Sequence, residues 1–291
     1  MKMLNPILHE KLMSFLKEDI GMGDITTEAI VPAETEVQAQ IIAKEPAVIA
    51  GLLETSLLFQ MLDVRFQARV EDGAEVAAGT ILAEVKGRGR AILSAERTVL
   101  NILMRMSGIA TVTRRLVKMI RESGLNVRVA ATRKTAPGLR YFDKKAVLIG
   151  GGDPHRFRLD DAFLIKDNHV KITGGIEKAI RKARSSASFS KKIEVEVQTK
   201  EEALEAARSG ADIIMLDNMT LEEAEETLKS LEDAGLRSKV TIEISGGITE
   251  KNLLDYAELK PDVISLGSLT HSVKAVDISL EISEIVKKES R

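Results

Sequence analysis

The fold is decided by residues 192–218, KIEVEVQTKEEALEAARSGADIIMLDN, which place two short β-branched strands on either side of an amphipathic helix. Similar strands recur after residue 125, and helical segments such as TLEEAEETLKSLEDAG separate several of them. The strands are VRVAAT, DAFLI, KIEVEVQ, ADIIMLDN, KVTIEIS and PDVISLG. A repeat of about 20–25 residues is typical of parallel strands joined by helical crossovers. Roughly 150 residues are too few for eight such units, so we expect an incomplete β/α barrel, with a doubly wound sheet as the alternative.

The chain before this repeat has a different pattern. A helix in PILHEKLMSFLKED is followed by two strands broken at Pro46 and by a short apolar helix, LLETSLLFQML. Residues 64–93 then alternate with period two, which predicts an antiparallel β segment. A long helical stretch begins at SAERTVLN, and we expect it to break at Gly108. The domain boundary is therefore predicted near residue 108.

The composition excludes several classes of protein. The chain has 291 residues, with 42 basic and 44 acidic side chains, so no overall field attracts nucleic acid or an anionic membrane. It contains no cysteine, which excludes disulfides and thiolate metal sites. No apolar run approaches the roughly 20 residues that a membrane-spanning helix needs. Residues 1–21 carry charges where a signal peptide needs an apolar core, so the cytoplasm is the expected location.

Polar residues stand where the predicted strands end, which is the face that carries the active site of a β/α barrel. Glu196, Asp217, Glu243 and Ser265 follow one another at intervals of 21, 26 and 22 residues, so a polar group recurs once per unit. The candidate residues at or near strand ends are Thr132, Arg133, Lys134, His155, Arg156, Lys166, Glu196, Asp217, Ser245, Gly246, Gly247 and Gly267.

These candidates fall into groups with different chemistry. Arg133, Lys134, His155, Arg156 and Lys166 form a cationic floor that suits carboxylates and phosphates. The acids among the candidates can coordinate Mg²⁺ or hydrogen-bond sugar hydroxyls. The glycine-containing turns SGGIT and LGSLT expose backbone N–H groups for a phosphate. Together the groups predict a polyanionic ligand with a carboxylated end, a ribose and phosphates.

The ordered motifs resemble those of the quinolinate phosphoribosyltransferase family, also called nicotinate-nucleotide pyrophosphorylase (carboxylating). They are DIGMGDITT, AERTVLN, TRKTAPGLR, GGG-x-x-HR-x-x-L-x-D, LIKDNH, EVEV, MLDN, SGGI and LGSLTHS. The resemblance implies an α/β fold with a hammerhead-like N-terminal α/β sandwich over residues 1–108. It also implies an incomplete seven-stranded β/α barrel over residues 109–270 and a C-terminal helix over 271–291 that packs back on the first domain.

The resemblance also implies a reaction and a set of roles. Quinolinate and 5-phosphoribosyl-1-pyrophosphate would give nicotinate mononucleotide, pyrophosphate and CO₂, with Mg²⁺ as cofactor. The protein would be a homodimer in which Arg97 of one subunit reaches the active site of the other. There it would bind quinolinate together with the cationic floor and Thr132. Lys134, Lys166, Glu196 and Asp217 would be catalytic, with the two acids binding Mg²⁺ directly or through the substrate. The cradle of the 5′-phosphate would consist of Ser245, Gly246, Gly247 and Gly267.

Three other hypotheses remain open. Nicotinate phosphoribosyltransferase needs only one carboxylate grip, and a molybdenum-transport paralogue shares the fold; the full set of cations favours the dicarboxylate. The segment EDGAEVAAGTILAEVKG resembles the β pattern of lipoyl or biotin carriers, but no tip lysine precedes it, so we interpret it as scaffold. His155 also has a purely structural alternative.

Overall fold

The computed structural model describes residues 6–286, and these divide into two compact units. Residues 6–111 and 273–286 make the first unit, and residues 112–272 make the second. The division after residue 111 lies close to the predicted boundary at 108. Each unit has its own sheet and its own buried core.

The first unit combines helices with short antiparallel strands. Its elements up to the boundary are α1 (Pro6–Ile20), α2 (Ile25–Ile30), β1 (Glu36–Ala43), β2 (Ala47–Val48), α3 (Leu52–Met61), β3 (Arg65–Ala68), β4 (Glu75–Val76), β5 (Ile81–Arg88) and α4 (Gly89–Glu122). In α1 the buried side chains Leu8, Leu12 and Leu16 recur at every fourth position, which gives the helix one apolar face. Asp24 caps α2, since its carboxylate accepts a hydrogen bond from the Thr27 N–H at 3.0 Å.

Helix α4 continues without a break through Gly108, where the sequence predicted one. A Cβ atom at Gly108 would lie 2.1 Å from the carbonyl oxygen of Lys274. Glycine is therefore required here because the backbone at residue 274 packs directly against the helix, and not because the helix ends.

The second unit alternates strands and helices, as predicted. Its elements are β6 (Arg128–Ala130), α5 (Arg140–Ile149), β7 (Phe163–Ile165), α6 (Asp167–Thr173), α7 (Ile176–Ser186), β8 (Ile193–Val197), α8 (Lys200–Arg208), β9 (Ile213–Asp217), α9 (Leu221–Asp233), a 3₁₀ turn (Arg237–Lys239), β10 (Thr241–Ser245), α10 (Leu253–Glu258), β11 (Val263–Ser265) and α11 (Ser268–His271). The sheet order is β6-β11-β10-β9-β8-β7, with all neighbouring strands parallel. All six strands predicted from the sequence are present.

The seventh strand implied by the family resemblance is reduced to one residue. Asp153 donates its N–H to Val129 at 2.8 Å and accepts from Ala131 at 2.9 Å, which adds a single parallel bridge beside β6. Pro154 follows and has no N–H to continue the ladder. At His155 the backbone then turns away, with φ of +53°. Six strands and one bridge therefore replace the expected seven.

Strand β8 illustrates how the sheet divides its two faces. Ile193, Val195 and Val197 are fully or almost fully buried and pack on the helical side with α8. Glu194 and Glu196 alternate with them and so lie on the opposite, inner face. The inner face of this sheet is therefore polar, and it leads to the strand ends that carry the candidate residues.

The C-terminal helix expected over 271–291 is wrong for the described residues. Ile278–Val286 form β12, which pairs antiparallel with β1 and completes the sheet β12-β1-β5-β3 of the first unit. The sequence ISLEI alternates apolar and polar residues with period two, which favours a strand. The segment does return to the first unit, but as an edge strand, and residues 287–291 lie outside the described part.

Among the described residues, no helix combines the length and the apolar character needed to cross a bilayer.

Candidate functional site

One end of the parallel sheet carries most of the predicted site. Arg133 and Lys134 follow β6, Lys166 follows β7, Glu196 lies near the end of β8, and Asp217 ends β9. The remaining predicted positions at this end are Ser245, Gly246 and Gly247 at β10 and Gly267 after β11. Because the strands are parallel, these residues lie at the same edge of one sheet. The structure therefore brings cations, acids and glycine turns together.

The Lys166 ammonium and the Glu196 carboxylate form an ion pair between the ends of β7 and β8. The Glu196 side chain is 16% exposed and that of Lys166 is 44% exposed, so the pair opens to solvent on the lysine side. The Lys166 N–H also donates to Nδ1 of His169 at 2.9 Å. His169 therefore caps the first turn of α6.

Arg133 and Arg156 concentrate positive charge in this part of the unit. Burial lowers the pKa of Arg156, and the positive charge of Arg133 lowers it further. Nη1 of Arg156 donates to the carbonyl of Ala162 at 3.0 Å, and the buried Nε of Arg133 has no hydrogen-bond partner within residues 6–286. A guanidinium whose charge is disfavoured by burial and by a neighbouring cation is stabilised by an anion.

His155 is engaged on both ring nitrogens by the protein itself. Nδ1 accepts the Arg156 N–H at 2.8 Å, and Nε2 lies 3.2 Å from Glu243 Oε2 and 3.6 Å from Glu194 Oε2. Its own N–H donates to the Asp153 carboxylate at 2.7 Å. This geometry matches the structural alternative for His155, and a direct contact with a substrate carboxylate requires one of these bonds to be given up.

The His155, Glu194 and Glu243 side chains form a buried cluster on the inner face of the sheet. Burial is the main cause that raises the pKa of Glu194, and the charge of Glu243 adds to it. Burial also opposes charge on His155, but the hydrogen bonds and charges of both glutamates outweigh it and raise the pKa of His155 to about 10. The three groups therefore titrate as one coupled set.

Within the described residues, this cluster is the one group of three or more acidic or histidine side chains whose ligand atoms approach within 4.8 Å of each other. Since Nδ1 of His155 accepts a backbone N–H, the ring proton lies on Nε2, the atom that faces the glutamates. A protonated Nε2 cannot bind a metal. In this tautomer the three side chains form a hydrogen-bonded cluster.

Lys144 is a residue of this region that the sequence analysis did not select. It lies on α5 with none of its surface exposed, and its ammonium donates to the carbonyls of Pro154 and Arg156, the latter at 2.7 Å. The ring of Phe157 lies 5.4 Å away. Burial, and then the charge of Arg140, lower the pKa of Lys144 to about 8. In the sequence it is one lysine in a basic run, with no sign that it is buried.

The glycine turn after β10 is held by its neighbours. Ser245 Oγ accepts a hydrogen bond from Ser265 Oγ at 2.9 Å, and the Ser245 carbonyl accepts from the Asn218 N–H at 2.9 Å. Gly246 has φ of +88°, and a Cβ there would lie 2.3 Å from Asn218 Oδ1. Asn218 was visible only as part of the motif MLDN, and Ser265 only by its spacing. These contacts fix the turn at which a phosphate was predicted.

The Lys134 loop is tied to the turn after β11. Thr270 Oγ1 donates to the carbonyl of Lys134 at 2.8 Å. A Cβ at Gly267 would lie 3.0 Å from both Cδ of Lys134 and Cδ2 of His271. The predicted Lys134 and Gly267 are thus neighbours.

The donor chemistry at the ends of β8 and β9 fits Mg²⁺. Glu196 and Asp217 stand on adjacent strands and offer carboxylate oxygens, the ligands that this ion prefers. One oxygen of Glu196 is paired with Lys166. Two carboxylates suit an ion that keeps several waters and is held mainly by substrate phosphates.

Arg97 lies apart from this set in the chain, on α4 of the first unit, with an exposed side chain. Thr132, in the second unit, accepts the Lys134 N–H on Oγ1 at 3.1 Å and shapes the loop that carries both cations.

Comparison with known proteins relates both units to one family. The model "Quinolinate phosphoribosyl transferase, N-terminal domain" matches residues 24–107, and the corresponding C-terminal domain model matches residues 109–281. The probable nicotinate-nucleotide pyrophosphorylase (carboxylating) of Methanocaldococcus jannaschii is 50% identical over 273 residues, 93% of this chain and 95% of that protein. The human nicotinate-nucleotide pyrophosphorylase (carboxylating) is 39% identical over 269 residues, 92% and 89% of the two chains.

Solved structures show the same similarity. The crystal structure of NadC from Streptococcus pyogenes has a TM-score of 0.90 and 38% identity, and covers 99% of this chain and 100% of that one. The nicotinate-nucleotide pyrophosphorylase of Francisella tularensis has a TM-score of 0.88 at 38% identity, with 97% and 98% covered. The two matched family regions together contain every residue of the predicted site.

Proposed function

Since the chain belongs to the quinolinate phosphoribosyltransferase family, we propose that it joins quinolinate to 5-phosphoribosyl-1-pyrophosphate and decarboxylates the adduct. The products are nicotinate mononucleotide, pyrophosphate and CO₂, in the biosynthesis of NAD. The observation that carries the proposal is that both units match this family, while Arg133 lies close enough to Arg156 for its charge to lower the pKa of Arg156. Such a site suits a substrate with two carboxylates better than one with a single carboxylate.

Binding of quinolinate is assigned to the cationic floor. Arg133 has a buried Nε without a hydrogen-bond partner in the described part of the chain, so it can receive a carboxylate without losing an internal bond. Arg156 supplies a second guanidinium, and Lys166 a point charge that its exposed side makes accessible. Thr132 completes the floor, and His155 would join it only by giving up one of its ring hydrogen bonds. The bound ring is thereby oriented so that its nitrogen faces the ribose.

Transfer of the phosphoribosyl group is assigned to the acids. Loss of pyrophosphate leaves a ribosyl centre with oxocarbenium character, and the carboxylates of Glu196 and Asp217 stabilise the developing positive charge. When bound, Mg²⁺ neutralises charge on the leaving pyrophosphate, and Glu196 and Asp217 are the residues that would hold it. Lys134 contacts phosphate oxygens, and the turns at Ser245–Gly247 and Gly267 receive the 5′-phosphate on their backbone N–H groups.

Decarboxylation follows from the charge that the transfer creates. Once the ring nitrogen carries the ribose, the ring is positively charged and accepts the electron pair left behind when the C–CO₂ bond breaks. A proton then replaces CO₂ on that carbon. The guanidinium groups hold the remaining carboxylate during this step, so the ring stays in place.

The protein is proposed to be a homodimer in the cytoplasm. Arg97 of the partner subunit is proposed to help bind the second carboxylate of quinolinate. Its exposed position on α4, in a segment matching the family's N-terminal domain, supports this assignment. An arginine that is exposed in the monomer is available to a neighbouring site.

The test is an incubation of the purified chain with quinolinate, 5-phosphoribosyl-1-pyrophosphate and MgCl₂. Equal amounts of CO₂ and nicotinate mononucleotide are expected, with no pyrophosphate released when quinolinate is omitted. Pyrophosphate release with nicotinate in place of quinolinate would support the nicotinate phosphoribosyltransferase alternative. If neither acid gives a nucleotide, the proposal is wrong.

A further inference from the structure

The residues 153–156, which we call the His155 turn, have an unusual backbone. His155 has φ of +53°, a region that residues with a side chain seldom occupy. Asp153 accepts the His155 N–H at 2.7 Å, and Nδ1 of His155 accepts the next N–H, from Arg156, at 2.8 Å. Strained backbone persists where the surroundings hold it in place, and it clusters at functional sites. Arg156 leaves this turn directly, so its direction depends on the turn.

The buried side chain of Lys144 hydrogen-bonds to the backbone of the His155 turn. Its ammonium donates to the carbonyl of Pro154 on one side of His155 and to that of Arg156 on the other, at 2.7 Å. Lys144 is fully buried, whereas the turn residues His155 and Arg156 are only partly buried. An ammonium with two fixed carbonyl partners on either side of one strained residue defines the path of the backbone between them.

We propose that Lys144 is a positioning residue for the carboxylate grip, which fixes the direction of the Arg156 guanidinium by holding both carbonyls of the His155 turn. This rests on the proposed function, in which Arg156 binds a carboxylate of quinolinate. Lys144 itself is fully buried and contacts backbone oxygens, so it acts on the substrate only through Arg156.

The chemistry of Lys144 favours this role over simple filling of space. Burying an ammonium is costly, and an apolar side chain of the same length would fill the position at lower cost. The charged groups around Lys144 make the position still less favourable for a cation, because Arg140, Arg133 and Arg156 lower its pKa, while Asp153 opposes them. The amine of Lys144 therefore contributes through the hydrogen bonds that it donates to the two carbonyls.

Other contacts hold the guanidinium end of the Arg156 side chain, but they do not hold the backbone from which it starts. Nη1 donates to the Ala162 carbonyl at 3.0 Å, and the Asp161 carboxylate accepts the N–H groups of Phe157 at 2.7 Å and Arg158 at 2.9 Å. These bonds organise residues 157–162. The segment that precedes Arg156 depends on Lys144, Asp153 and the ring of His155, so loss of Lys144 displaces the start of the arginine side chain.

The experiment compares Lys144→Met with Lys144→Gln and with Lys182→Met, which removes an exposed lysine of α7. Steady-state kinetics are measured separately for quinolinate and for 5-phosphoribosyl-1-pyrophosphate, with melting temperatures as a record of folding. For Lys144→Met we expect the KM for quinolinate to rise by about 10- to 100-fold, the scale expected when a binding group is misplaced by about 1 Å. The KM for 5-phosphoribosyl-1-pyrophosphate stays within about twofold, because the phosphate turns do not depend on Lys144.

Glutamine keeps N–H donors but is shorter, so Lys144→Gln gives an intermediate rise for quinolinate alone. This variant carries the test if Lys144→Met does not fold. An unchanged KM for quinolinate in the folded variants overturns the proposal. Equal increases in both KM values, together with a lower melting temperature, also overturn it, because they indicate a general structural role. A wild-type protein that does not bind quinolinate in calorimetry contradicts the proposed function instead, which separates the two failures.

Discussion

The Lys166 ammonium forms an ion pair with the Glu196 carboxylate, and this pair joins the ends of the neighbouring strands β7 and β8. The cation that we propose to bind an anion and the acid that we propose to act at the ribosyl centre therefore neutralise each other in this structure. Under the proposed assignment, an arriving carboxylate would compete with Glu196 for the lysine. Substrate binding would then free the negative charge of Glu196 where the reaction develops positive charge.

Glu196→Gln is expected to lower kcat by about 100- to 1000-fold, because a neutral amide cannot stabilise the ribosyl cation as a carboxylate does. Pyrophosphate release in a single turnover measures the effect. Glu177→Gln, which removes an exposed acid paired with Arg181 on α7, is the matched control and should leave kcat unchanged. A loss of less than threefold for Glu196→Gln would be incompatible with its catalytic role.

Arg133→Ala is expected to weaken quinolinate binding by about 10- to 100-fold, the value of a charge-assisted hydrogen bond lost to a carboxylate. Stability should change little, since the buried Nε has no hydrogen-bond partner within the described residues. Isothermal titration calorimetry and thermal melting measure the two properties. Arg181→Ala on the exposed side of α7 is the control. Retained affinity for quinolinate would remove Arg133 from the carboxylate grip.

Arg97→Ala and Lys134→Ala should complement each other if Arg97 is lent across a dimer. Each variant alone is inactive, but a mixed dimer contains one site with both residues intact. Equal mixing after exchange of subunits should restore about a quarter of the wild-type activity, because half of the dimers are mixed and each has one complete site. The assay is nicotinate mononucleotide formation before and after exchange. If activity stays at the level of the separate variants, Arg97 acts within its own chain or not at all.

Gly246→Ala and Gly247→Ala separate steric conflict from backbone strain. Both glycines have positive φ, +88° and +64°, but a Cβ at Gly246 would lie 2.3 Å from Asn218 Oδ1 and 2.8 Å from its backbone nitrogen, whereas the space at Gly247 is open. We therefore expect Gly246→Ala to raise the KM for 5-phosphoribosyl-1-pyrophosphate by about tenfold or more, and Gly247→Ala to cost only about 1 kcal/mol of stability. Similar kinetics for the two variants would show that Asn218 does not shape the phosphate turn.

The pH dependence of stability should contain a contribution from Lys144. Its pKa is about 8 in the folded protein, against an ordinary value of 10.5, so between these values the unfolded chain binds more protons than the folded one. The free energy of unfolding of the wild type, relative to Lys144→Met, should therefore increase as the pH rises through 8 towards 10. Urea denaturation at pH 7 and at pH 9.5 measures this difference. A difference that does not vary with pH would mean that Lys144 is not buried as an ammonium.

The six parallel strands could be predicted because hydrophobic burial on one face and helical crossovers leave a periodic record in the sequence. The same pattern predicted where the strands end, and therefore the positions of Glu196 and Asp217 at that edge of the sheet. The reduction of the seventh strand to Asp153 depends on Pro154 and on the left-handed backbone at His155, and no periodic pattern encodes so short a segment.

Two features could not be predicted for different reasons. Lys144 and Lys145 are adjacent and chemically alike in the sequence, and only the tertiary packing of α5 decides which of them is fully buried. Strand β12 alternates over a few residues only, and its pairing partner β1 lies more than 200 residues earlier. A contact of that separation depends on tertiary structure, because local propensity for strands is weak.

The pairing of β12 with β1 also determines when the sheet of the first unit can be completed during translation. The partner strand β1 (residues 36–43) emerges from the ribosome early, but one edge of it stays unpaired until residues 278–286 have been made, more than 200 residues later. The sheet of the second unit needs no residue beyond 265, so it can close while β1 still has unpaired N–H and C=O groups exposed. Truncation before residue 278 would therefore leave one edge of β1 unpaired and prone to aggregation. Nascent chains stalled there should be targets for chaperones.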